Sequence, residues 1–205
     1  MKTNFLQYYK PNVLVGFITV LIFGIILING YLGWQLAFVG TIVSFLVFIN
    51  RYLWKYRPFS WMFSVDNFSG RYEGELEFQY IDEKNIKQTG KLKHVKIIKQ
   101  TGDRISISSF TLKTDGTKSS ESSNIGMYVE KPEDDHFRLI YNYQNEGDTT
   151  QNFPQHYGTD VLKFIKKENG DLCLSGKYYT ERHPHQTKGQ YIDLKKINNK
   201  LTHDF

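Results

Sequence analysis

Residues 11–50 contain no Asp, Glu, Lys, Arg or His. A single helix crosses a bilayer with about twenty apolar residues, so forty fit two crossings joined by a tight turn. The turn is written in the chain: Asn29-Gly30-Tyr31-Leu32-Gly33 interrupts the apolar runs 13–28 and 36–49. Tyr8, Tyr9, Tyr31, Trp34, Tyr52, Trp54 and Tyr56 stand at the ends of these runs, where amphipathic rings favour the headgroup level. Lys2, Lys10, Arg51, Lys55 and Arg57 flank the outer ends, and no cation lies in the turn. By the positive-inside rule both termini face the cytoplasm. The expected organisation is a membrane anchor over 1–57 with helices at about 12–29 and 34–50, a linker over 58–69, a domain over 70–198 and a tail over 199–205. A cleaved signal peptide fits poorly, because the second apolar run follows where a small-residue cleavage site belongs. A buried soluble hairpin would show a polar face, and neither run has one.

The charge outside this segment is nearly balanced. Of 26 Lys and Arg residues in the 205-residue chain, Lys2 and Lys10 precede Arg51, which leaves 24 cations against 21 anions in 51–205. That balance speaks against a protein that tracks a DNA or RNA polymer through its phosphates. Cys173 is the sole cysteine, so no intramolecular disulfide forms.

From Gly70 the period changes from helical to two. In RYEGELEFQY, Tyr72, Gly74, Leu76, Phe78 and Tyr80 alternate with Glu73, Glu75, Glu77 and Gln79, the pattern of a strand with one wet face. Further strands are expected near 91–100, 104–113, 117–130, 136–145, 156–167, 171–182 and 189–197. Turn residues bound them at 101–103, 115–116, 131–134, 168–170 and 183–188. Segment 146–155 is the one longer loop, and the serine run 119–123 could belong to a loop instead of the fourth strand. The predicted fold is mainly β: a transmembrane helical hairpin followed by an eight-stranded antiparallel up-and-down β-barrel, with an open sandwich as the alternative.

In an up-and-down barrel the ends of odd strands and the starts of even strands share one mouth. Tyr143 and Asn145 close the fifth strand, Thr180 and Arg182 the seventh, and His156 opens the sixth. Leu172, Leu174, Tyr178, Thr180 and Arg182 share a face, which turns Arg182 inward. An inward guanidinium needs an anion. Asp160 or Asp193 could supply it; so could a ligand phosphate held by a charge-assisted fork, with tyrosine faces against bases and Asn145 and Thr180 at base edges. His183-Pro184-His185, with His156 and His136, lacks the spacing and the cysteines of a zinc set and reads as a polar turn, so no metal is expected. No G-x-S-x-G elbow, HExxH or Walker loop is present, and the chain is not expected to be an enzyme.

A membrane hairpin at 11–50 followed by FSGRYEGELE, LIYNYQNE, HYGTDVLKF, LSGKYYTERH and KGQYIDLKK, in that order, resembles the two-transmembrane, β-strand-rich effectors of bacterial CBASS antiphage operons. These SMODS-associated proteins are membrane-bound β-barrel counterparts of STING. The resemblance implies a receptor whose barrel binds a cyclic dinucleotide or related cyclic oligonucleotide, with no other cofactor. It further implies that binding promotes homo-oligomerisation in the bacterial inner membrane, disrupts the lipid bilayer and kills the infected cell. The site residues it implies are Tyr143, Asn145, Tyr178, Thr180 and Arg182, then Tyr72 and His156. The loop after Asn145, with Phe153-Pro154, departs from the pattern. Two other expectations stand beside this one: a membrane-tethered, lipocalin-like carrier of a lipid or other hydrophobic ligand, and a barrel filled by its own side chains.

Overall fold

The computed structural model describes residues 4–113, 115–132, 136–147, 154–182 and 186–202. The chain divides into two compact units: Met1–Asn67 with Gln100–Arg104, and Phe68–Lys99 with Ile105–Phe205.

In the first unit, α1 (Pro11–Leu32) starts on a proline, whose missing N–H and fixed φ suit the first helical turn. It ends at Gly33, in the left-handed region at φ 64°. α1 therefore runs beyond the expected 29, and α2 (Phe38–Phe48) starts later than the expected 34. Asn29 does not break the helix. Its side chain closes the connection instead, accepting from the Leu36 N–H at 3.0 Å and donating to the Leu36 carbonyl at 3.2 Å. α2 continues as a π-helical turn, Ile49–Leu53. Phe17 and Phe45 stack between the helices at 6.0 Å, and Phe59 packs edge-on to both rings. Among the described residues, α1 is the one helix long and apolar enough to cross a bilayer; Phe38–Leu53 is shorter. Its side chains are largely uncovered, Val15 and Phe23 each 64 % exposed, an expensive surface in water and an ordinary one in lipid.

The second unit is a closed antiparallel barrel in sequential order. Its strands are β1 (Gly70–Ile81), β2 (Lys87–Gln100), β3 (Ile105–Leu112), β4 (Lys118–Glu130), β5 (Phe137–Asn145), β6 (His156–Lys166), β7 (Leu172–Thr180) and β8 (Lys188–Asn198). The serine run lies within β4. β2 starts four residues before the expected 91 because the β1–β2 turn is tight. The Asp82 carboxylate accepts the Lys84 and Ile86 N–H groups, and Asn85 takes the left-handed conformation at φ 58°. β7 stops at Thr180 instead of 182, where the Thr180 N–H bonds the Thr187 carbonyl. The 183–185 turn and most of the 146–155 loop lie outside the described residues.

Alternation sends one residue in two into the bore, which fills in layers. Near the start of β1 it is packed with apolar groups: Phe68, Tyr72, Ile98, Leu139, Leu162, Leu174 and Leu194 are all fully buried. Gly176, opposite Leu162 on β6, permits close backbone approach on this wall. An added Cβ there would overlap the Val161 carbonyl oxygen and sit 2.9 Å from Leu162 Cα. Gly176→Ala is therefore expected to destabilise the barrel by about 1–3 kcal/mol, read as a lower urea midpoint of the full chain in detergent, because backbone cannot yield as a side-chain tip would.

Candidate ligand site

Above the apolar layer lies a buried ionic one. Lys96 and Asp160 are 0 % and 1 % exposed, and Lys96 Nζ stands 2.8 Å from Asp160 Oδ2. The ammonium also donates to Ser109 Oγ at 2.9 Å and Tyr141 Oη at 3.1 Å, and lies 4.2 Å from the centroid of the Tyr191 ring. Asp160 accepts from the Tyr141 hydroxyl and, at 3.0 Å, from the Tyr191 hydroxyl. Burial lowers the Lys96 pKa, and the Asp160 charge and hydrogen bond oppose that shift. Burial raises both tyrosines, with the Asp160 charge adding to it. Five strands supply this layer, and its charges are matched within it.

On this floor stands a cavity of about 590 Å³, bounded by the ends of odd strands and the starts of even ones. Of the residues expected at a site, Tyr143, Asn145, Tyr178, Thr180, Arg182 and His156 line it. Tyr72 does not. It is fully buried in the apolar layer and its hydroxyl donates to the Phe68 carbonyl at 2.8 Å. Alternation had given its side of the strand correctly but not its height. Asp160 pairs with Lys96, and Asp193 with Lys167 at 3.2 Å, so both candidate aspartates hold other cations.

Three of the cavity's aromatic rings rest on glycines directly opposite in a neighbouring strand: Tyr143 on Gly158, Phe78 on Gly90 and Tyr178 on Gly189. A Cβ at Gly90 would come within 2.6 Å of Phe78, and one at Gly189 would overlap the Glu77 carbonyl oxygen as well as meet Tyr178 at 2.6 Å. The missing side chains let the rings lie along the wall, which keeps the bore open. Thr180 and Asn145 support the rim: Thr180 Oγ1 accepts the Thr187 N–H at 2.9 Å, and Asn145 Oδ1 accepts the Gly147 N–H at 2.9 Å. Half-buried Arg182, two residues beyond β7, has its pKa lowered by desolvation, with Tyr80 opposing. His156 bonds the Pro154 carbonyl through Nδ1 at 3.1 Å, and burial followed by the nearby Arg182 charge lowers its pKa.

Several lining residues were not among the expected ones: His94, Thr111, Tyr191, and Ser119, Ser120 and Ser122 of β4. Strand parity puts Tyr191, near the start of β8, at this mouth, yet it was not among the expected residues. His94 and Lys96 belong to KLKHVKIIKQ, whose lysines resemble an ordinary wet face. Among the described residues no group of three or more His, Cys, Asp or Glu is arranged to hold a metal, and His183 and His185 lie outside them.

Residues 63–196 match the family model of the Cap15 cyclic dinucleotide receptor domain. The chain belongs to this family. The match takes in β1 through β7 and all but the end of β8, and leaves α1 and α2 outside. No curated protein and no solved structure gives a significant match. The barrel is thus the cyclic dinucleotide receptor of a CBASS effector, a ligand-binding role rather than a catalytic one.

Removing one member of the buried pair leaves the other charged without its counterion. Asp160→Asn is expected to cost about 3–5 kcal/mol of unfolding free energy. The double variant Lys96→Met/Asp160→Leu should recover most of that loss in the same denaturation series.

Proposed function

We propose that the cavity is where the cyclic dinucleotide, or a related cyclic oligonucleotide, binds. Arg182 meets a phosphate, and Tyr143 and Tyr178 offer faces to the bases. Asn145 and His156 complete the contacts, and Thr180 holds the rim in place. Occupancy then promotes self-association of the apolar helices in the bacterial inner membrane, disrupts the bilayer and kills the infected cell. Both helices cross as a hairpin with the termini and the barrel in the cytoplasm, as the cations at 10, 51, 55 and 57 favour.

The observation that carries this reading is the division of charge in the bore. Lys96, at depth, is neutralised by Asp160, and Arg182 lines the mouth together with Tyr80 and Tyr178. A dianionic ligand with two flat bases fits that order: a guanidinium forks onto phosphate near water, and rings accept stacking at the wall. The volume lies within the ordinary range for small-ligand sites, about 300–1,000 Å³. A lipid carrier calls for an apolar cavity with a neutral mouth, and the imidazoles, serine hydroxyls and Arg182 on this lining argue against it.

Full-length protein in liposomes tests both halves. Release of an entrapped dye should require a cyclic dinucleotide, and Arg182→Ala should weaken binding about tenfold to a hundredfold, the worth of a charge-assisted hydrogen bond. Dye release without any nucleotide counts against the triggered mechanism. Undiminished binding by the alanine variant counts against the phosphate role of Arg182.

A further inference from the structure

One buried polar group on the cavity wall belongs to His94. The residue is 4 % exposed, projects from β2 one step above Lys96, and lines the cavity together with Thr111 and Tyr191. Its Nδ1 lies 3.1 Å from Thr111 Oγ1, and its ring tilts against Tyr191 with centroids 4.9 Å apart. Nε2 is shielded from solvent and has no hydrogen-bond partner among the described residues. A buried polar atom of this kind is uncommon in a native protein and costs stability, and a ligand group that reached it on binding would relieve that cost.

The surroundings say what kind. Lys96 is already committed to Asp160, Ser109 and Tyr141, so the deep end offers no available positive charge to a phosphate. What it does offer is neutral: the Thr111 hydroxyl, the Ser120 and Ser122 hydroxyls, and the faces of Tyr178 and Tyr191, whose rings lie 5.5 Å apart. Burial and the adjacent Lys96 ammonium hold the imidazole well below the ordinary value of 6.5, in its uncharged form. Uncharged, it has one nitrogen that donates and one that accepts. The Thr111 hydroxyl can serve Nδ1 in either role, so Nε2 is available in the complementary one.

We infer that His94 is a specificity-determining residue of the cavity, its Nε2 hydrogen-bonding the edge of a base inserted at the deep end. This rests on the reading of the cavity as the cyclic dinucleotide site and adds the means of choosing among such ligands. Cyclic dinucleotides all carry two phosphates, so Arg182 meets the same charge in each. Discrimination has to come from neutral groups that meet the base edges. A site built to hydrogen-bond a ligand group rejects the analogue that leaves it unpaired far more strongly than an apolar wall would.

The test is equilibrium binding of cyclic di-AMP, cyclic di-GMP and cyclic di-UMP to the full chain in detergent, for the native protein, His94→Phe, His94→Gln and Arg182→Ala. Phenylalanine keeps the ring against Tyr191 and removes both nitrogens, so the His94→Phe melting temperature should equal or exceed the native one. It should lose about tenfold or more in affinity for the best native ligand while the other affinities change little, narrowing the preference. His94→Gln, which restores a donor and an acceptor, should recover part of it. Arg182→Ala should weaken all three ligands alike. Should His94→Phe fold normally and keep both the native affinities and the native order of preference, the role assigned to His94 is overturned while the site reading stands. Should the native protein bind none of the three, the site reading fails and the inference fails with it.

Discussion

A lysine ammonium with no exposed surface fixes the interior of this barrel. An isolated charge at that depth is far too costly to keep, so Lys96 of β2 requires Asp160 of β6. Tyr141 of β5, Tyr191 of β8 and Ser109 of β3 then satisfy the remaining lone pairs and protons. Five of the eight strands are thereby held at one height, with the apolar plug of Leu139, Leu162, Leu174 and Leu194 on one side and the cavity on the other. A wholly apolar layer here could pack as stably. It would not set the heights of five strands with the same geometric demands, nor present the cavity with a floor whose charge is already matched.

The cavity above that floor depends on what is missing from three positions. Glycine within a strand ordinarily weakens it, because it has no side chain to pack and more backbone freedom to lose. Gly90, Gly158 and Gly189 are each covered by an aromatic ring from the strand opposite, which restores the lost packing and lays the ring flat. Rings standing inward from side chains of ordinary size would close an eight-stranded bore. The space for a ligand is therefore made by pairing large residues with none.

The helical segment and the barrel were legible because charge and period are long-range signals: forty residues without an ionic group, then repeated alternation between turn residues. Six of the seven residues expected at the cavity lie on its lining because parity alone brings strand ends together. Height along the bore was not legible, since alternation gives a side and not a level, and Tyr72 therefore falls in the plug. β2 hid its contribution for a different reason. Residues 94 through 98 are buried on both faces, with Val95 and Ile97 in a cluster with Phe110 behind the wall, so the polar/apolar alternation disappears. Within it Lys96 is in phase with Leu92 and His94, whereas Lys91 and Lys93 are in the other phase and exposed. Of four lysines in these ten residues, Lys91, Lys93 and Lys99 share the exposed phase, and the inward Lys96 is the exception.

The order of polarity along the bore bears on how a receptor of this family can be selective. Deep burial of a phosphate strips it of water, and only a nearby unmatched cation compensates. Matching Lys96 internally removes that compensation, so the deep end discriminates against phosphate and favours flat, uncharged groups with hydrogen-bonding edges. At the rim the lining carries a guanidinium, that of half-buried Arg182. In the proposed binding mode such a gradient would orient a cyclic dinucleotide before any particular base is read, because its phosphates and its bases are drawn to different heights. Orientation by charge at the rim and selection by neutral contacts at depth are then separable, and each can change without dismantling the other.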